Sequence, residues 1–334
     1  MKRFLPFVLA SAAFVSAFGL AQEYPWTPER PVTIIVPWAA GGSTDSMARI
    51  AAAELEAALG QPFVVVNQPG ASGSIGTSHA LTATKDCYTW TAGAASDLGT
   101  YIVLDMLQTS LADWHLYLTV ANTAVVGVNA DGPYQDFQQL IDAMTAEPGQ
   151  ISVATAGQSS GGHNAMELIA EATGVTYRHV TYDGGNPAVI ATVGGETQVT
   201  TQLAVEQAEM IRGGRIRPLA VVSETPLELD GYGTIPAITD WLSGLEIPTN
   251  YFGLWVPKGV PEACVQTFDM VWENEIANSE ALQRYASERG AQFTPFYGAD
   301  AETRAMPMVR QNAWILFDGG KAMVDPSTVG IERP

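Results

Sequence analysis

One spacing pattern occurs three times in the chain, and it points to an α/β architecture. In each copy an apolar strand runs into a loop of Gly, Ser and Thr, and an apolar-striped helix follows. The copies are VTIIVPWAAGGSTD (32–45), FVVVNQPGASGSIG (63–76) and ISVATAGQSSGGH (151–163). A fourth loop, TYDGGNPA (181–188), follows YRHV (177–180) in the same way. Near-continuously apolar strands that alternate with helices favour parallel sheets covered on both faces. Such loops also leave free backbone N–H groups and hydroxyls at helix N-termini, where an anion is best held. The pattern therefore reads as capture of a small anion. By itself it does not separate transport from catalysis or sensing.

The first 21 residues read as a signal peptide. Lys2 and Arg3 precede an apolar run from Phe4 to Phe18, and Gly19-Leu20-Ala21 supplies small residues for cleavage near Ala21. That run is short for a membrane span, which needs roughly 20 residues. No cysteine stands near the cut to carry a lipid. The expectation is an exported, monomeric protein. Without Lys2 and Arg3, 14 basic side chains face 35 acidic ones, a net charge of −21. Such a balance excludes nucleic acid as a partner and disfavours anionic lipid. It would also repel an anion at long range, but salt screens fields beyond roughly 8–10 Å, so local amides can still prevail.

In the first loop, Pro37 ends the strand and Gly41-Gly42 relax the backbone. Ser43, Thr44 or Asp45 is then placed to cap a helix whose inner face is Met47, Ile50, Ala51, Leu55 and Ala58. Functionally, the Ser43 and Thr44 hydroxyls and nearby amides would hold a carboxylate while Trp38 closes one wall. Structurally, the same residues would be an ordinary cap beside a buried Trp. GASGSIG (70–76) lacks the G-x-G-x-x-G of a dinucleotide fold, because position 71 is alanine, and no Walker lysine follows any Gly-rich loop, so no cofactor is expected. AGQSSGGH (156–163) invites a hydrolase reading through Ser159 or Ser160 with His163, but no G-x-S-x-G elbow is present. His163 is read as a donor to a ligand or to the local backbone. Tyr182 offers an apolar wall and one hydroxyl, and Asp183 is placed to cap a helix at Asn186-Pro187. His79, His115, His163 and His179 lack the short spacing of a zinc site, so no metal is expected. Cys87 and Cys264 form either a disulfide or two buried thiols.

A chain this long normally divides into two cores. After a strand-like YTWTAGA (88–94) comes an aromatic-rich stretch to Val128, then a helix within 133–149 stopped by Pro148-Gly149. Strand–helix alternation restarts at Ile151, continues through TQVTT (197–201) and IRPLAVV (216–222), and breaks up between Glu224 and Pro248. YFGLWVP (251–257) leads to a helical pattern over 261–289 and a closing helix near 301–315.

These loops also carry a family resemblance. YPWTPERPVTIIVPWAAGGSTD (24–45), NQPGASGSIG (67–76), DCYT (86–89), VATAGQSSGGH (153–163), VTYDGGNPA (180–188) and YFGLWVPKGVP (251–261) span the mature chain. Together they resemble the periplasmic solute-binding proteins of tripartite tricarboxylate transporters, the TctC or Bug family. The resemblance implies a two-lobed, type II periplasmic binding protein fold, α/β with mostly parallel sheets, flanking helices and a cleft between lobes. Lobe one would be 24–124 plus 249–334, and lobe two 125–248. It implies binding of a small organic anion, delivery to membrane permease subunits, and closure of the lobes by hinge bending. Trp38, Ala40, Gly42, Ser43, Thr44 and Asp45 would hold one carboxylate together with Ala71, Gly73 and Ser74. Gln158, Ser159, Ser160, His163 and Tyr182 would meet the ligand from the other lobe. Three departures bear on specificity: Cys87 stands where the family has Gly, Gln202 and Leu203 replace an Asp-Asn pair beside the cleft, and Asp183 replaces a Lys. A dicarboxylate or an aromatic carboxylate is the expected ligand.

Overall fold

The computed structural model describes residues 23–334, so the expected signal peptide lies outside the described residues. The chain begins with β1 (Val32–Val36), α1 (Ser43–Leu59), β2 (Phe63–Asn67), α2 (Ser74–Thr82), β3 (Thr89–Ala94), α3 (Ala95–Val103) and β4 (Trp114–Asn122). It continues with β5 (Val125–Asn129), α4 (Phe137–Ala146), β6 (Ser152–Thr155), α5 (Gly161–Thr173), β7 (Arg178–Thr181), α6 (Gly185–Val193), β8 (Val199–Thr200), α7 (Ala204–Arg212) and β9 (Ile216–Val221). A hairpin of β10 (Leu227–Leu229) and β11 (Gly233–Ile235) follows. Last come β12 (Asn250–Pro257), α8 (Glu262–Asn274), α9 (Glu280–Arg289), β13 (Gln292–Phe293) and α10 (Gly298–Asp318).

Two mixed sheets flanked by helices result. The first has the order β13-β4-β12-β3-β1-β2 and the second β7-β6-β8-β5-β9. β1 runs parallel to both β2 and β3, and β6 parallel to both β7 and β8. The strands at the crossings between sheets run the other way: β12 is antiparallel to β3 and β4, and β5 to β8 and β9. Parallel pairing, expected for most of both sheets, is thus confined to the halves carrying the Gly-rich loops. A parallel partner needs a covering crossover, whereas a strand arriving straight from the other sheet does not.

Position in the sheet explains composition. β1, interior and covered on both faces, is almost wholly apolar and buried. β2, at the edge, alternates and leaves Val64 and Val66 exposed. β4 (WHLYLTVAN) is aromatic and β-branched and almost wholly buried, and it accounts for part of the stretch that carried no assignment from sequence. The helical pattern over 261–289 splits into α8 and α9 because the Ser279 hydroxyl accepts the Leu282 N–H at 3.2 Å and starts a new helix.

The first core is built on aromatic contacts, Trp90 meeting Phe268 edge-on with centroids 4.2 Å apart and Tyr117 meeting Trp272 at 4.9 Å. Beside them Cys87 and Cys264 form a disulfide that joins the entry of β3 to α8. Cys87 stands in the left-handed backbone region, at φ 74°. The second core gathers Phe137, Leu140, Met144, Val153, Ile169 and Val199. The first crossing is stitched to its neighbours by Val125 N–H to Gln202 O at 2.9 Å and Val222 N–H to Ala124 O at 2.8 Å. Among the described residues no helix is long and apolar enough to cross a membrane.

Candidate functional site

Five helices begin at one place between the sheets. Their N-caps are Gly42 (α1), Ala94 (α3), Ser160 (α5), Gly184 (α6) and Leu203 (α7). Each first turn contributes to the wall of a partly open cavity of about 30 Å³, bounded on its apolar sides by Trp38 and Phe252. A helix start carries about half a positive elementary charge and unsatisfied N–H groups. Five together make a pole for negative charge, although no Lys, Arg or His is among the residues of the wall.

Three carboxylates sit in the first turns and take different roles. Asp45 is turned back from the cavity, accepting the Gly41 N–H at 2.9 Å, Asn67 Nδ2 at 2.9 Å and Arg49 at 2.9 Å. Burial alone would raise its pKa, but those partners hold it below the ordinary value. Glu206 lies in the wall. Its Oε1 accepts the Ser43 N–H at 3.1 Å across the sheets, and Oε2 accepts the Leu203 N–H at 3.3 Å. The Gln202 amide, with its nitrogen toward Glu206, donates to Oε2 at 2.9 Å and accepts the Ala156 N–H at 2.8 Å. Burial raises the Glu206 pKa, and these backbone donors offset it in part. Asp97 is also in the wall and only 4% exposed, and its Oδ1 has no hydrogen-bond partner. Burial pushes its carboxyl well above the usual carboxylate range.

Of the expected site residues, Trp38, Gly42, Ser43, Thr44, Ser160 and Gln202 come together around this cavity. Ala40, Ala71 and Gln158 are instead exposed, outside the wall. The loop around Ala71, Gly73 and Ser74 meets the opposite loop directly: Gln158 N–H donates to Ser72 Oγ at 3.0 Å, and Ser159 Oγ donates to Ser72 O at 2.7 Å. Gly157 is required there, because a Cβ would stand 2.5 Å from Ser72 Oγ at φ 131°. On the other side of the mouth, Ala39 N–H donates to Asp183 O at 2.8 Å and Asn186 Nδ2 to Gly41 O at 2.6 Å. The hydroxyl of Tyr182 reaches Glu196 at 3.4 Å.

Several expectations are corrected. α1 is capped by Gly42 without a side-chain bond, and Ser43, Thr44 and Asp45 form its first turn. Gly41, at φ 80°, is the loop position that favours glycine, whereas Gly42 at φ −72° is unstrained. Asp183 does not cap α6, whose N-cap is Gly184. Of the two readings of His163, the one that fits is contact with the local backbone. Its Nδ1 is 2.7 Å from the Gln158 carbonyl, its Nε2 is 3.2 Å from Glu167, and its ring stacks on His179 at 4.3 Å. Ser160 Oγ donates to Gly157 O and receives the His163 backbone N–H, so the imidazole does not serve it as a base. Asp97, Glu206 and Phe252 were missed from sequence. The one available signal was an acid in the third position of a helix, which reads equally as simple end-capping.

A family model described as the tripartite tricarboxylate transporter family receptor matches residues 47–302. The UPF0065 protein in the tcbD-tcbE intergenic region of Pseudomonas sp. strain P51 is 30% identical over 283 residues, 81% of each chain. BugT of Bordetella pertussis is 29% identical over 301 residues, 89% of this chain and 90% of its own. Among solved structures, R. palustris Rpa4515 with adipate superposes with a TM-score of 0.79 at 25% identity, covering 88% of this chain and 99% of the other. The periplasmic binding protein BugD has the same fold, with a TM-score of 0.79 at 24% identity over 88% of this chain and 99% of its own. BugD is by its title a periplasmic binding protein, and the matched family is described as a transporter receptor. By its match over most of its length, the chain belongs to the tripartite tricarboxylate transporter receptor family.

Proposed function

We propose that the protein captures a small organic carboxylate in the periplasm and delivers it to the membrane permease of a tripartite transporter. The observation that carries this reading is the convergence of five helix N-termini on one cavity between the sheets. Backbone N–H groups at such ends hold a carboxylate without a basic side chain. Rpa4515 with adipate and MatC with bound malate are carboxylate complexes with the same fold, which supports the chemistry. Trp38 and Phe252 suit an apolar or aromatic body, so an aromatic carboxylate fits these walls, and a dicarboxylate is the other class to test. A tricarboxylate fits worse, because each added charge would lie near Glu206 or Asp97 with no cation in the wall. In this reading residues 24–124 with 249–334 form one moving body and 125–248 the other, closing on the ligand about the two crossings.

A thermal-shift screen of mono-, di- and tricarboxylates, followed by calorimetry and solution scattering, tests the proposal. The expected result is a raised melting temperature and a compacted particle with a mono- or dicarboxylate. Tight binding of citrate with no response to any smaller acid would overturn the ligand assignment. Silence from every acid would overturn carboxylate capture itself.

A further inference from the structure

We propose that the protein carries a second ligand site, at the crossings between the sheets, for a small uncharged molecule with an aliphatic body and an amide or hydroxyl group. This site is distinct from the anion pole, and the proposal does not depend on carboxylate capture.

A second, partly open cavity lies where the chain passes between the two sheets, and it measures about 180 Å³ against about 30 Å³ at the anion pole. Its wall takes Asn122 to Ala124 from the first crossing and Pro248 to Asn250 from the second. α5 contributes Leu168 and α10 contributes Met308, so both ends of the chain's path between the sheets meet around one space. Gly161 and Leu203 are the only residues that it shares with the wall of the anion pole. An apolar cavity of about 150 Å³ holds benzene, so this one has room for a six-membered ring with a small substituent.

The chemistry of the wall sets the class of occupant. Among its residues there is no Asp, Glu, Lys, Arg or His, in a chain that carries 35 acids. A charged molecule entering it would lose water and find no countercharge. Val222, Ile247 and Met308 give it an aliphatic lining. Two amides in the wall are half committed to the protein. Asn250, 8% exposed, uses its Oδ1 to accept the Ser96 hydroxyl at 3.1 Å, which leaves its NH₂ to donate. That nitrogen lies against Gly161, where a Cβ would stand 2.9 Å from it. Gln311 donates its Nε2 to the Glu246 carbonyl at 2.6 Å, which leaves Oε1 to accept. A few polar groups in an otherwise aliphatic, uncharged space suit a neutral amide or alcohol. The anion pole differs on each point, with helix starts, two carboxylates and two aromatic rings in its wall.

The probes are cyclohexanecarboxamide and cyclohexanol, with cyclohexylammonium as the charged counterpart, each titrated by ligand-observed NMR. Both neutral probes are expected to bind saturably, and about tenfold or more tighter than the cation. The acidic surface of the chain would favour the cation anywhere else. Ala165→Leu and Ser223→Leu add bulk to this wall and not to that of the anion pole, and each should weaken both neutral probes about tenfold or more. Circular dichroism and melting identify the variants that fold, and the comparison of neutral and charged probes in the parent stands whether or not they do. Absence of saturable binding by the neutral probes, equal binding of the cation, or parent-like binding in the folded variants would each overturn the proposal.

Discussion

Gly184 offers a way to separate closing from folding. It is the N-cap of α6, with an extended backbone at φ 174°, so a side chain is not strained by its own conformation. A Cβ there would nevertheless stand 3.0 Å from Ala39 Cβ and 3.1 Å from Ala39 N, on the opposite side of the mouth. The same approach carries the Ala39 N–H to Asp183 O bond of 2.8 Å. Gly184→Thr places a β-branched wedge at this point, and Thr is itself a good N-cap, so α6 is not weakened. Overpacking of a closed contact costs about 1–3 kcal/mol. Because that cost falls on the closed form alone, it should appear as about 5- to 150-fold weaker capture. The assay is calorimetry with the tightest acid from the screen, paired with melting of the ligand-free protein and scattering at saturation. Ligand-free melting should stay within the range of ordinary surface changes, about 0.5 kcal/mol. Parent-like affinity together with parent-like compaction would refute the claim that the mouth closes on the ligand.

Three further outcomes are expected. Ser43→Ala and Thr44→Ala should each weaken capture by about 1–3 kcal/mol in calorimetry, since each removes a hydroxyl beside the anion pole, and no change in either would take α1 out of the site. Reducing Cys87–Cys264, or replacing both residues by Ala, should destabilise the protein by up to about 5 kcal/mol in denaturant melts, the loop-entropy value for a separation of 177 residues. Replacing Cys87 by Gly in that pair should recover about 1–2 kcal/mol, because glycine takes the left-handed φ of 74° without a Cβ. The pKa of His179 is lowered to about 3 by burial first and then by the nearby His163 and Lys321, with Glu167 opposing. It therefore favours the folded state fully above its ordinary pKa of 6.5, and that contribution is lost as pH falls from 6.5 toward 3. His179→Gln should flatten urea stability over the upper part of that window, and a parent-like slope would exclude His179 as its source.

The Gly-rich loops were legible because their chemistry is local: a strand, a flexible turn and a helix start lie within about a dozen residues. Trp38, Ser43 and Thr44 could be picked from that spacing alone, and Ser160 from the family resemblance. Asp97 and Glu206 could not, since what places them in the wall is the docking of α3 and α7 against loops far away in sequence. His163 shows where the spacing left two readings open. A His three residues after a helix-capping Ser looks exposed to a ligand, but Glu167 one turn further on draws its ring inward. The strand direction at the crossings was hidden for a similar reason. Nothing in the composition of β5 or β12 records whether its neighbour arrives through a helix or straight from the other sheet.

The covalent bond at Cys87–Cys264 also determines how the molecule would carry tension. Tyr24 and Ile331 both pack on the core of the first sheet, and the whole second sheet, from Val125 to Val221, lies inside the loop that the bond closes. A pull applied between Tyr24 and Ile331 runs along the chain to Cys87, crosses to Cys264 and continues outward. The second sheet is bypassed and bears no load. Stretching under oxidising conditions would therefore lengthen the chain only by its outer segments, and the remaining contour would appear only after a reductant is added. For the same reason a single protease cut between these cysteines leaves one covalent piece.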